Sequence, residues 1–241
     1  MRIGVLGGTF DPIHRAHLAI AGAALREYKL DEVWFMPAGD PYFKADNHVT
    51  PALLRLAMTK ACIDAYGEPA FKCSDFEISD REHTYTAETF RKLKESRPDD
   101  EFFFILGLDS LEALDSWHDP ALLLKNAGIL CALRNRETSA YEAPDRGHHT
   151  HEQKSHLVKE AHAAAERTEK AEKADEKRYE AARTHLMKKY AKAMPVIERI
   201  DCPETLLSST MIRRKAAAGD DLIDYVTPAV AKFIREHHLY M

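Results

Sequence analysis

The stretch Ile3-Gly4-Val5-Leu6-Gly7-Gly8-Thr9-Phe10-Asp11-Pro12-Ile13-His14-Arg15-Ala16-His17 decides how the chain folds. Ile3 to Leu6 is a short apolar run stopped by two glycines, the pattern of a buried strand ending in a tight turn. The Ala- and Leu-rich segment from about His17 to Tyr28 then reads as a helix. Glycines let the backbone turn close enough for amide hydrogens to face an anion, and the helix that follows carries partial positive charge at its amino end.

Working outward, the same alternation recurs. Val33 to Met36 reads as a strand stopped by Pro37. Thr50-Pro51 pairs a capping residue with proline at the first helical position, and apolar residues then recur to Ile63. Phe71 to Ser74 is a third strand, and Thr86 opens a helix reaching about Lys94. Phe102 to Leu106 is a fourth strand, followed by Gly107 and short helices around Leu111 and Leu122; Ile129 to Leu133 is a fifth. Strands separated by helices imply parallel pairing with crossovers on both faces, hence a doubly wound (Rossmann-like), mainly parallel α/β sheet. In such sheets ligands bind beyond the carboxyl ends of the strands, near the point where strand order reverses.

The pattern breaks after Arg134. A loop-like segment holds Pro144, Gly147 and the cluster His148, His149 and His151. From Glu152 to Ala193 there is neither glycine nor proline, and pairs such as Glu166 with Lys170 and Glu169 with Lys173 recur at helical spacing. A long solvated helix, or two folded back, is expected; if continuous it would extend roughly 60 Å. Strand Val196 to Ile200 and helices from near Ser209 and Thr227-Pro228 resume the core pattern. The reading is one α/β domain, 1–134 and 195–241, interrupted by a loop and charged helical insertion, 135–194. The insertion's helical arm is a candidate surface for a partner, and a homo-oligomer is the alternative assembly left open.

Composition narrows the functional classes. The 241 residues carry 34 Lys+Arg against 39 Asp+Glu, a net charge of −5, with 45% hydrophobic residues. That supports a sizeable core and excludes general disorder. The pI near 6.2 argues against a nucleic-acid partner but is compatible with a basic pocket for a small anion. Cys62, Cys73, Cys131 and Cys202 lie far apart with no zinc spacing, as expected of free thiols in a reducing compartment. No run approaches the roughly 18 apolar residues of a membrane span, and the amino end breaks into glycines before a secretory apolar region forms. A cytoplasmic location, without a membrane partner, is therefore expected. The three clustered histidines lack a companion ligand set, so no metal site is assigned to the protein.

Two constellations carry chemistry. In the opening stretch His14 and His17 lie on one side of the first helical turn, and both can donate to phosphate oxygens. An ordinary strand–turn–helix with a capping His14 and a packed His17 would account for a lone glycine pair, but not for the whole string. In the second, Leu207-Ser208-Ser209-Thr210-Met211-Ile212-Arg213-Arg214, hydroxyls and amides at a helix start, with an arginine one turn in, form another phosphate cradle.

These strings resemble the two signatures of the nucleotidyltransferase superfamily, Gly-Thr-Phe-Asp-Pro with His-x-Gly-His and Ser-Ser-Thr-x-Ile-Arg. The doubled glycine and Asp-Pro-Ile-His look like its nicotinate-mononucleotide adenylyltransferase branch. Ala16 stands where that branch has glycine, which bears on adenine binding and leaves the phosphate chemistry intact. Pro37-Ala38-Gly39-Asp40-Pro41-Tyr42-Phe43-Lys44 resembles the family loop ending in a phosphate-binding lysine, with Phe43 in place of histidine. Thr84-Tyr85-Thr86 resembles the helix start that meets the pyridine carboxylate. Gly107-Leu108-Asp109-Ser110, followed by Trp117, resembles the family's Gly-x-Asp and Trp.

The resemblance implies transfer of AMP from ATP to nicotinate mononucleotide, with Mg²⁺ carried in on the ATP. It assigns ATP to Gly7, Gly8, Thr9, Phe10, His14, His17, Gly107, Asp109, Ser209, Thr210, Ile212 and Arg213. The mononucleotide falls to Lys44, Thr84, Tyr85, Thr86, Asp109 and Trp117, and the positive catalytic lining to His14, His17, Lys44 and Arg213. Asp11 reads as a structural member of the turn. Two alternatives stay open at this stage: a related nucleotidyltransferase with another phosphate acceptor such as phosphopantetheine, and a non-catalytic nucleotide-binding scaffold.

Overall fold

A computed structural model describes residues 1–39, 49–79, 85–135, 151–203 and 207–241. Side chains are described within these except at 134–135, 151–169 and 203. The six strands are β1 (Arg2–Gly8), β2 (Glu32–Pro37), β3 (Phe71–Cys73), β4 (Glu101–Gly107), β5 (Gly128–Asn135) and β6 (Ile197–Pro203). They form one sheet in the order β3-β2-β1-β4-β5-β6, every pair parallel. The order reverses between β1 and β4, which places a crevice at their carboxyl ends.

The helices are α1 (Arg15–Glu27), α2 (Ala52–Tyr66), α3 (Phe76–Ser79), α4 (Thr86–Ser96), α5 (Leu108–Ala113), α6 (Pro120–Asn126), α7 (His151–Lys189), α8 (Ser209–Ala217) and α9 (Pro228–Glu236). Side-chain alternation along the strands builds two cores. On one face Leu6, Phe35, Phe103 and Ile105 pack with Leu18 of α1, Met58 of α2, Ile212 of α8 and Val230 of α9. On the other, Val5, Phe102, Phe104 and Leu106 pack with Phe90 of α4, Leu111 of α5, Leu123 of α6 and Leu186 of α7. Strand β4 is a continuous apolar run because both its faces are covered. Each such large side chain contributes about 1.5–3 kcal/mol on burial.

Two helix starts differ from the sequence reading. Helix α1 begins at Arg15 because His14 takes the extended N-cap position. Helix α2 begins at Ala52 with Pro51 at its N-cap, not with Thr50 as a capping residue. Thr50 is occupied otherwise: its amide donates to Asp11 Oδ2 at 3.3 Å and its carbonyl accepts from Arg55 Nε at 2.8 Å.

The charged stretch forms one 39-residue helix, about 58 Å long. Its carboxyl-terminal part is not merely solvated. Tyr179 and Leu186 are buried against the sheet, and Arg183 Nε donates to Ile197 O at 2.9 Å. This part of α7 therefore serves as the crossover between β5 and β6, where the sequence division set a separate segment up to residue 194. Asp115 ties it further, accepting from Lys189 Nζ at 2.6 Å and Tyr190 Oη at 2.5 Å. These partners hold the Asp115 carboxyl well below the usual carboxylate range. The pairs Glu166–Lys170 and Glu169–Lys173 and the His148, His149, His151 cluster lie outside the described side chains. Among the described residues, no helix is long and apolar enough to cross a membrane, and no three His, Cys, Asp or Glu side chains are grouped to hold a metal ion.

Candidate active site

The turn after β1 is shaped by conformation and burial together. A Cβ on Gly7 would lie 3.2 Å from the Phe104 ring, so glycine there lets β4 approach. Phe10 holds a left-handed φ of 48°, uncommon for a bulky residue. Its ring is buried edge-on against His17, with 4.9 Å between centroids, and tilted against Phe35. Phe10, assigned to ATP by resemblance, thus acts from beneath the turn. Thr9 and Gly8 stay half-buried and Gly7 exposed at the strand end.

His14 and His17 come together as expected. Their rings stack with 3.8 Å between centroids and 24° between planes. The His14 amide donates to His17 Nδ1 at 3.2 Å, so neutral His17 carries its proton on Nε2 and can donate from there. His14 is 5% exposed, and among the described residues its buried Nδ1 has no hydrogen-bond partner. Burial pushes the His14 imidazole down to about 4. Burial, and then the neighbouring His14, push His17 down as well. The pair is therefore neutral at pH 7. The Arg15 amide bonds to Tyr225 O at 3.1 Å, leaving that of Ala16 at the helix tip.

The second signature docks on the first. Ser208 caps α8, accepting from Met211 N at 3.2 Å, which sets the Ser209 and Thr210 amides at the open end of the helix. Ser209 Oγ donates to Pro12 O at 2.9 Å. Arg213 Nη1 donates to Asp11 O at 2.7 Å, and its Nη2 to Thr210 Oγ1 at 3.3 Å. Ile212 is fully buried and its amide is bonded to Ser208 O. It anchors α8 and does not present a side chain to a ligand.

Gly107 ends β4 beside β1, in the register that sets Leu6 opposite Ile105. Asp109, in the first turn of α5, has a side chain 92% exposed, and it accepts from Arg178 Nη2 of α7 at 2.9 Å. Trp117 is half-buried and tilts on Phe104 at 6.1 Å. Tyr85, 48% exposed, is the N-cap of α4. Its ring stacks on His118 with 4.0 Å between centroids, bringing the α4 start beside Trp117. The α4 ladder begins with Glu88 N and Thr89 N on Tyr85 O, so the Thr86 and Ala87 amides point out of its amino end. Lys44 and Thr84 lie outside the described residues.

Four residues were missed by sequence reasoning. Arg55 is fully buried and donates to the carbonyls of Thr50, Thr9 (2.7 Å) and Gly39 (3.0 Å), tying the β1 and β2 loops to α2. A signal existed, since Arg55 falls on the same helical stripe as buried Ala52, Met58 and Cys62. Tyr240, Arg178 and His118 meet the signatures only through the fold and carry no local signal.

The comparisons agree with this geometry. The cytidylyltransferase-like family model matches residues 5–215. A Dehalococcoides mccartyi protein named "Probable nicotinate-nucleotide adenylyltransferase" is 33% identical over 100% of this chain and 97% of its own. A Synechococcus protein of the same name is also 33% identical, over 100% and 95%. Among solved structures, Plasmodium falciparum nicotinic acid mononucleotide adenylyltransferase complexed with NaAD superposes with a TM-score of 0.64, covering 99% of this chain and 97% of that one, at 19% identity. At that identity the likeness concerns the fold. Signatures, strand order and full-length similarity converge: the chain belongs to the nicotinate-nucleotide adenylyltransferase family of cytidylyltransferase-like proteins.

Proposed function

We propose that the chain transfers AMP from ATP to nicotinate mononucleotide, releasing deamido-NAD and pyrophosphate, a step of NAD biosynthesis. One observation carries the reading: Arg213 and Ser209 of α8 bond to the carbonyls of Asp11 and Pro12 beside the stacked His14–His17 pair. Two helix tips and two imidazoles thereby share one crevice at the switch point of the sheet.

The nucleophile is an oxygen of the mononucleotide phosphate, already ionised at neutral pH, so no enzyme base or covalent intermediate is required. It attacks the α-phosphorus of ATP, the bond to the oxygen bridging toward the β-phosphorus breaks, and pyrophosphate leaves with the electron pair. The protein has to align the two phosphates and neutralise charge as it accumulates. In our reading His17 donates from Nε2, His14 lies against the same oxygens, and Lys44 and Arg213 complete the positive lining. Gly7, Gly8, Thr9, Gly107, Ser209 and Thr210 offer backbone or hydroxyl groups to ATP, with Mg²⁺ entering as part of that substrate. Asp109 accepts from ribose hydroxyls, Trp117 stacks on the pyridine ring, and Thr84, Tyr85 and Thr86 meet its carboxylate at the α4 start. Free cysteines suit a cytoplasmic setting.

The test is pyrophosphate release from ATP with nicotinate mononucleotide, nicotinamide mononucleotide and phosphopantetheine offered separately, with products identified by mass. Deamido-NAD as the main product supports the reading. A product from phosphopantetheine alone, or ATP binding with no turnover on any acceptor, would replace it.

A further inference from the structure

Asp11 is 4% exposed and belongs to no step of the proposed chemistry, yet three distant parts of the chain converge on it. Its Oδ2 accepts the Thr50 amide at the entrance to α2, and its carbonyl accepts Arg213 of α8. Its Oδ1 accepts the hydroxyl of Tyr240 at 2.5 Å, across 229 residues of sequence. Tyr240 follows the last helix with a left-handed φ of 65°, a conformation that costs a non-glycine residue free energy unless its surroundings hold it. Its ring packs against the core that contains Phe10 and Ile13.

We infer that Tyr240 is a positioning residue for the phosphate site. Its hydroxyl fixes the Asp11 carboxylate, which sets the Phe10–His14 turn and the carbonyl that receives Arg213. A buried carboxylate needs its hydrogen bonds satisfied. Without the Tyr240 donor, Asp11 is left, among the described residues, with one long side-chain bond, at 3.3 Å from Thr50, and is free to rotate toward water. Both His14 and Arg213 then lose their reference, while the Thr86 and Trp117 side of the cleft, built on α4 and the α5–α6 connection, stays in place. The effect should fall on ATP and spare the acceptor.

This inference rests on the proposed function only for its acceptor arm. The test is Tyr240→Phe, which removes one oxygen, measured by calorimetric Kd for MgATP, by KM for nicotinate mononucleotide, and by Tm. The expected result is a Kd weaker by roughly tenfold, the scale of one hydrogen bond to a charged group, with KM for the acceptor unchanged. In an Asp11→Ala background, which removes the acceptor of the Tyr240 hydroxyl, Tyr240→Phe should add little further, because both changes break the same contact. An unchanged Kd, a parallel rise in Kd and acceptor KM together with a lowered Tm, or multiplicative losses in the double variant would each overturn it. If the unaltered chain makes no deamido-NAD but Tyr240→Phe still weakens ATP binding, the acceptor assignment fails and this inference stands. If product forms and the Kd does not move, the inference fails alone.

Discussion

Lowering the pH should destabilise this protein through His14 in particular. In the folded chain burial holds its imidazole at about 4, against an ordinary 6.5. Between those values the unfolded chain binds a proton that the folded chain refuses. Stability is therefore complete above pH 6.5 and is lost as the pH falls toward 4. Integrating the linkage from pH 7 to pH 5 gives a loss of about 2 kcal/mol from this group. His17 is pushed in the same direction and adds to it. The contribution is isolated by comparison with His14→Asn, which keeps a polar side chain but cannot titrate. Urea unfolding of both proteins at pH 7 and pH 5 reads the difference directly. The unaltered protein should lose about 2 kcal/mol more than the variant over that interval. Equal losses would mean that His14 is solvated and charges freely, refuting the neutral, stacked pair described above.

Four further outcomes follow from the same geometry. His17→Ala should lower kcat roughly 10²-fold by removing a preorganised donor, with CD and Tm reporting an intact fold; near-full turnover would remove the role assigned to Nε2. The acid mononucleotide should be preferred over the amide, because amides at the α4 start favour a carboxylate; equal kcat/KM for the two would contradict this. Arg55→Met should cost about 3 kcal/mol or more in urea unfolding, since three carbonyls lose a charged donor at once. Ala16→Gly should lower KM for ATP by admitting the base closer to the α1 backbone, at some cost in Tm from helix flexibility; an unchanged KM would show that the methyl at this buried position does not meet the base.

Much of the fold was legible because its signals are local. Gly7-Gly8 after an apolar run, Pro37 after another and the unbroken apolar run at 102–106 each mark a strand within a few residues. Strand ends extend by one to three residues where backbone pairing continues past the apolar run, as in β5 and β6, which pair out to Asn135 and Pro203. The four-residue α3 is too short for periodicity to register. The buried stripe of α7 was obscured by its neighbours: Tyr179 and Leu186 stand seven residues apart within a run of charges, so the segment read as solvated although it supplies a crossover.

The site divides the same way. Each signature is contiguous, so its residue types and spacing announce phosphate chemistry without any structure. What holds the signatures together is not contiguous. Arg213 reaches Asp11 across 202 residues, Arg178 reaches Asp109 across 69, and the Tyr85–His118 stack joins a helix start to the residue after Trp117. Pairings over such distances are set by strand order and are invisible to residue spacing. Ile212 shows the converse, since its place in a recognisable motif suggested a ligand contact, while helical periodicity sends its side chain into the core.

The most direct test is a crystal structure of the chain with a non-hydrolysable ATP analogue and Mg²⁺. The account predicts the α- and β-phosphates between the α1 and α8 tips, within hydrogen-bond reach of His17 Nε2 and the Ser209 and Thr210 amides. A triphosphate lodged elsewhere, or these two tips splayed apart around an empty crevice, would contradict it.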